Sequence, residues 1–186
     1  MKSETQLVKD CLKQNRQAQK ELYDRFAETM LGICYRYNKG KDVAEEVLQI
    51  GFIKVFKYLG QFKAEGDLGA WIRKIMVNTA INYLKRKPFY QQNLVFEESN
   101  LHPVVNESVN TALNFKDLLY LVRQLPTGYQ TIFNLYAIEG YTHVEIAKLL
   151  GINEGTSRSQ YSRARSLLMS WLEQPKLNKQ KDSYAG

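Results

Sequence analysis

Tyr141 to Leu172, YTHVEIAKLLGINEGTSRSQYSRARSLLMSWL, decides how this chain is to be read. It spells two helices set at an angle by a short glycine turn. Thr142 and Glu145 fit a capping box, in which the threonine oxygen accepts a backbone N–H the helix leaves unpaired and the glutamate accepts one from the cap. A helix is therefore predicted from about His143, with Val144, Ile146, Ala147, Leu149 and Leu150 as its buried stripe. Gly151 supplies the left-handed residue that ends it. Asn153 stands where it can cap the next helix. There Ser157, Tyr161, Ala164, Leu168 and Trp171 recur at steps of four and three and share one face. The other face carries Arg158, Ser159, Gln160, Ser162, Arg163 and Arg165.

A helix held by one face, with guanidinium, amide and hydroxyl groups on the exposed side of its first half, suits the major groove of duplex DNA. An ordinary helical hairpin with a solvated arginine face would carry many of the same residues. The coincidence of the turn, both caps and the polar face favours DNA.

The rest of the chain sets the context. Its 186 residues, 44% hydrophobic and 24% charged, have the composition of a soluble globular protein, and two small helical domains fit that length best. The net charge of +7 favours a polyanionic partner or an acidic protein surface. Cys11 and Cys34 are the only cysteines, and His102 and His143 are not spaced to complete a zinc site with them, so no metal or other cofactor is expected. The N-terminal MKSETQLVKD lacks the apolar core of a signal peptide and no run approaches the length of a membrane span, so the expected location is the cytoplasm.

From Thr5 to Tyr37 apolar residues recur at helical spacing, first Leu7, Val8, Cys11 and Leu12, then Leu22, Tyr23, Phe26, Met30, Ile33 and Cys34. Two helices with a polar break around Gln14 to Gln19 follow, and both cysteines read as small core residues. After a turn at Asn38 to Lys41, Asp42 is expected to cap a helix from Val43 to Leu59. Its first half would expose Glu45, Glu46 and Gln49, with Val47, Leu48, Phe52, Ile53, Val55 and Phe56 on a broad buried side. Gly60 to Gly69 reads as a glycine-rich loop containing Phe62, an aromatic that can stack a nucleic-acid base or plug the loop to the core. The helix Trp71 to about Arg86 places Lys74, Asn78, Asn82 and Lys85 on one side and Ile72, Ile75, Met76, Thr79 and Tyr83 on the other. Arg73, Lys74, Lys85, Arg86 and Lys87 occur there with no acid among them, so cations can hold phosphates while the asparagines meet base edges.

Pro88 is expected to end this domain. Gln91 to Asn110 has no steady period and three acids without a Lys or Arg, and reads as a flexible acidic linker. The helical period returns at Thr111 with Leu113, Phe115, Leu118, Leu119, Leu121, Val122 and Leu125, and again from Thr127 to Glu139 with Tyr129, Ile132, Phe133, Leu135 and Tyr136. The expected architecture is all-α: residues 1–90 as one helical domain, 91–110 as linker, 111–174 as a second domain containing the helix-turn-helix, and 175–186 as a basic flexible tail.

Three stretches together resemble the extracytoplasmic-function (ECF) group of bacterial RNA polymerase sigma factors, the smallest of the sigma-70 type. DVAEEVLQIGFIKVFKYLGQF is similar to the family's core-polymerase-binding helix and AWIRKIMVNTAINYLKRK to its promoter-melting and −10-reading helix. LPTGYQTIFNLYAIEGYTHVEIAKLLGINEGTSRSQYSRARSLL is similar to its −35-reading domain. The resemblance implies that Glu45, Glu46 and Gln49 meet the clamp helices of the polymerase's largest subunit. It implies a −10 site of Phe62, Lys63, Arg73, Lys74, Asn78, Asn82, Lys85 and Arg86, and a −35 site of Arg158, Ser159, Gln160, Ser162, Arg163 and Arg165. Further implied partners are the flap of the polymerase's second subunit, promoter DNA and an anti-sigma factor, membrane-bound forms included, with no small-molecule substrate. Ile50 stands where the family has an acid, Ser157 and Tyr161 where it has aliphatic residues, and Gln160 where it has arginine.

The expected function is that of a dissociable initiation factor, without enzymatic activity, that directs polymerase to −35 and −10 elements and promotes melting. The alternative is a stand-alone helix-turn-helix regulator, which the basic, asparagine-bearing helix argues against. An enzyme acting on nucleic acid ranks last, because no paired carboxylates, phosphate-cradling glycine loop or activated nucleophile is visible.

Overall fold

A computed structural model describes residues 3–63, 66–86 and 115–173. The chain divides into two compact units, Met1–Val95 and Phe96–Gly186. All regular elements among the described residues are helical. The expectations for Pro88, the linker 91–110, Leu113 and the tail lie outside the described residues.

In the first unit, α1 (Glu4–Leu12) packs on α2 (Arg16–Tyr37), and α2, α3 (Lys41–Tyr58) and α4 (Leu68–Lys85) pack against one another. Side-chain oxygens of Ser3, Asn15 and Asp67 accept the first-turn N–H groups of α1, α2 and α4. The break between α1 and α2 is only Lys13 to Asn15, because Asn15 caps as soon as the chain has turned. The core holds Leu7, Leu22, Ile33, Val47, Leu59, Leu68, Ile72, Met76 and Ile81. Gly51 lets α3 and α4 close up: a Cβ there would run into Met76 Sδ. Cys11 and Cys34 are buried core residues that form no disulfide, and burial pushes the Cys34 thiol up to about 12.

Several expectations are corrected. Asp42 does not cap α3; the cap position is Gly40, at φ 117° and without a side-chain cap, and Asp42 lies in the first turn. Ile53 is 68% exposed rather than buried. At 3.6 residues per turn it falls opposite the packed residues Val47, Gly51 and Val55 and in line with Glu46 and Gln49. Leu12 and Tyr23 are likewise exposed. The predicted loop is shorter than expected: Leu59–Gln61 form a turn of 3₁₀ helix, and the Asp67 cap starts α4 at Leu68.

The second unit contains α5 (Phe115–Gln124), α6 (Thr127–Phe133), α7 (His143–Leu150) and α8 (Glu154–Glu173). Leu121, Val122, Leu125 and Tyr129 pack with Ala164, Leu168 and Trp171 of α8. The helix expected over Thr127–Glu139 is not uniform. After α6 it widens to a π turn, Asn134–Ile138, in which the Glu139 N–H donates to Asn134 O at 2.9 Å. The capping box at Thr142 and Glu145 forms, Gly151 ends α7 at φ 73°, and Asn153 Oδ1 accepts the Thr156 N–H at 2.6 Å. Val144 is 61% exposed, and its neighbour His143 takes the buried place.

Candidate nucleic-acid interface

Each unit presents its own polar surface. On α4, Lys74 and Asn82 are exposed and Arg73, Asn78 and Lys85 are half-buried, with Arg86 exposed just past the helix end. No acidic residue lies on α4, so its own helix supplies nothing to neutralise these cations. α3 contributes a further amine: Lys54 Nζ donates to Thr79 Oγ1 at 3.1 Å, and burial together with the Arg86 charge lowers its pKa. Phe62 is half-buried with its ring 5.6 Å from that of Trp71, and Lys63 beside it is exposed. Phe62 thus does plug the loop to the helix, while part of its surface stays open.

On α3, Glu46 and Gln49 are exposed, and half-buried Glu45 lies 3.8 Å from Lys41. Tyr83 of α4 donates its hydroxyl to Glu46 Oε2 at 2.7 Å, which raises the tyrosine pKa. An acidic strip with Ile53 at its end therefore touches the basic helix through the Tyr83–Glu46 hydrogen bond.

On α8, Arg158, Ser159, Ser162, Arg163 and Arg165 are exposed as expected. Gln160 is not: it is 6% exposed and joins Ser157, Ala164, Leu168 and Trp171 on the packed side. Its position, three residues after Ser157 and four before Ala164, puts it on the buried stripe, while Tyr161 stays half-buried at the edge. Gln160 is therefore removed from the base-reading set.

Beneath that surface lies a polar seat. His143 Nδ1 and Ser157 Oγ share a hydrogen bond of 2.9 Å, joining α7 to α8. The Tyr136 ring stacks on the imidazole at 4.3 Å, and Tyr161 meets it at 5.8 Å on the other element. Ser157 and Tyr161 thus serve as partners for a buried histidine. Arg158 donates Nε to Glu154 Oε1 at 2.9 Å and Nη2 to the same oxygen. The i,i+4 spacing of Glu154 and Arg158 was a visible sign of that pair. Lys54–Thr79 and His143–Ser157 bridge different helices and carry no local signal.

Among the described residues no group of three His, Cys, Asp or Glu side chains comes together to hold a metal ion, and no helix is long and apolar enough to cross a membrane.

Comparison with known proteins covers both surfaces. Residues 22–88 match the family described as Sigma-70 region 2, and residues 115–168 match Sigma-70, region 4. The ECF RNA polymerase sigma-E factor of Haemophilus influenzae is 27% identical over 161 residues, covering 79% of this chain and 83% of that one. The RNA polymerase sigma-H factor of Pseudomonas aeruginosa is 25% identical over 179 residues, 88% of this chain and 90% of its own. A solved structure of the sigma factor RpoE with the anti-sigma factor NepR from Bartonella quintana shares the fold, with a TM-score of 0.51 and 20% identity over 84% of this chain and 98% of that one.

Proposed function

The chain belongs to the sigma-70 family, within its extracytoplasmic-function group, and from that premise we propose how its surfaces divide the work of a factor that directs RNA polymerase to promoters. The stand-alone regulator reading is overturned, because a region 2 match accompanies the helix-turn-helix match in one chain. Sigma factors are initiation factors; synthesis of RNA is the polymerase's chemistry.

In this reading Glu45, Glu46 and Gln49 dock on the clamp helices of the largest polymerase subunit, and exposed Ile53 extends that strip with an apolar contact. Lys74, Asn78, Asn82, Lys85, Arg73 and Arg86 hold the melted −10 strand. Phe62 and Lys63 take a base out of the stack beside Trp71, and stacking on the aromatic pair offsets part of the few kcal/mol that extrusion costs. Arg158, Ser159, Ser162, Arg163 and Arg165 face the −35 duplex. Residues 1–90 and 111–174 are the working domains, 91–110 the connection that enters the polymerase channels, and 175–186 a basic extension. The second-subunit flap and an anti-sigma factor complete the partners, and the protein works in the cytoplasm with the polymerase.

One observation carries this reading: a helix without acids, bearing Lys74, Asn78 and Asn82, accompanies a separate helix-turn-helix. A duplex-only regulator has no use for the first. Run-off transcription with purified core polymerase on promoter-region fragments tests it. New start sites that depend on this protein, with shared upstream elements, are expected. Asn78→Ala should then leave polymerase binding in place and shrink the permanganate-reactive bubble; an undiminished bubble removes Asn78 from the melting site.

A further inference from the structure

Glu154 has no place in the sites so far, and it is an awkward residue for a surface that meets DNA. It occupies the first turn of α8, where the helix dipole favours a carboxylate. It lies one turn before Arg158, and both are open to solvent, at 41% and 64% side-chain exposure. A carboxylate facing phosphates is repelled unless it finds an amino group on a base edge. Both arginine bonds land on Glu154 Oε1, from Nε and Nη2. The pair therefore still offers Oε2 as an acceptor beside the Nη1 donors.

We infer that Glu154 and Arg158 act as one reading unit that specifies a G·C base pair in the upstream promoter element, with arginine on guanine and glutamate on cytosine. In the major groove a G·C pair presents two adjacent acceptors, guanine N7 and O6, followed by one donor, cytosine N4. Donors beside an acceptor are the complement of that order. An A·T pair places a donor, adenine N6, between two acceptors, so the guanidinium would meet an N–H and the carboxylate would meet thymine O4. The hydrogen bonds between the two side chains bring them together before DNA arrives, which lowers the rotamer freedom to be lost on binding. The inference rests on α8 being the duplex-facing helix, and it adds an acidic residue to a reading set otherwise made of cations and hydroxyls.

The test is run-off transcription by the complete holoenzyme, core polymerase with the full-length chain, on a promoter library randomised across the upstream element. The wild-type protein is expected to select G·C at one position. E154A should lower the preference for G·C over A·T there by about tenfold, the range of a single base contact, with other positions unchanged. E154Q, equal in size and uncharged, should admit A·T at that position because its amide N–H can meet thymine O4. R158A should lose selection at the same position. If E154A and E154Q change output by one factor on every sequence, Glu154 is only a clasp or a repelling charge and the inference is overturned. A wild-type profile with no upstream preference would overturn the reading of α8 itself, and the inference with it.

Discussion

The two units bury different kinds of side chain. Among the described residues the buried polar side chains of the first are Asn38 and Thr79, together with the hydroxyl of buried Tyr37, whereas the second buries Gln130, Thr131, Asn134, His143, Ser157 and Gln160. Apolar contacts are non-directional, so α2, α3 and α4 are held chiefly by filling space, with the Lys54–Thr79 and Tyr83–Glu46 hydrogen bonds added at the α3–α4 contact, and α4 is free to expose what its outer face needs. Hydrogen bonds and stacked rings are directional. The position of α8 against α7 is therefore tied to specific partners, Ser157 on His143 and Tyr136 over the imidazole. A surface that reads a duplex in one register gains from such a seat, and it inherits the vulnerability of buried polar groups to loss of a partner.

The comparison can be broken by mutation. Ile33, 2% exposed and on a helix with no proposed site, should cost the first unit about 2–5 kcal/mol when changed to alanine. Hydrogen exchange under mild denaturant should show the loss across α1–α4 and leave α5–α8 protected. Equal loss in both would mean that they do not respond as separate units. Ser157→Ala should cost about 1–3 kcal/mol, confined to α7 and α8, because the buried imidazole nitrogen is left without that partner. Adding His143→Phe should recover most of it, since an apolar ring asks for no hydrogen bond. If the double variant is as weak as the single one, packing rather than the polar pair fixes the seat.

These elements also show what the sequence could and could not say. Both caps of the helix-turn-helix and the glycine between them were legible because each rule involves residues within one turn. Gln160 was misread because four neighbours on the stripe include serine and alanine, which carry little apolar signal; an amide between them looked like the polar face. Ile53 was misread in the opposite sense, since an isoleucine in an apolar run looks buried until the partners of α3 fix which side faces in. The Lys54 bond to Thr79 joins residues 25 apart in sequence, and only the packing of α3 on α4 brings them together. The surfaces were thus readable as surfaces, while the identity of borderline members waited for tertiary contacts.

Ile53 sharpens the comparison from outside the core. Because its side chain is already in water, Ile53→Ala should leave unfolding of the first unit unchanged. If it docks on polymerase, the variant should bind core enzyme more weakly by about 1–2 kcal/mol, the transfer value of the lost methyl and methylene groups. Titration of labelled core polymerase measures this. Unchanged affinity would confine the docking strip to the polar residues before it.

The smallest effect is in the response to acid, and it belongs to the second unit alone. Burial, then the Arg158 charge, hold His143 below its ordinary pKa, with Glu154 opposing them. The facing groups are Tyr136 from the π turn, Tyr161, Ser157 and these two charged residues from α8. A histidine whose folded pKa is depressed binds its proton more readily when unfolded, so the unfolded state takes up more protons. The stability it contributes is fully present above the unfolded value near pH 6.5 and is lost as pH falls from there through the lower folded value. Thermal unfolding followed at α7 and α8 should therefore weaken between pH 7 and pH 5 more than in the first unit, whose described residues include no histidine. His143→Gln should flatten that difference. A second unit whose melting is as indifferent to this pH range as the first would show that the imidazole seat accommodates the charge, and that directionality rather than charge is what separates the two cores.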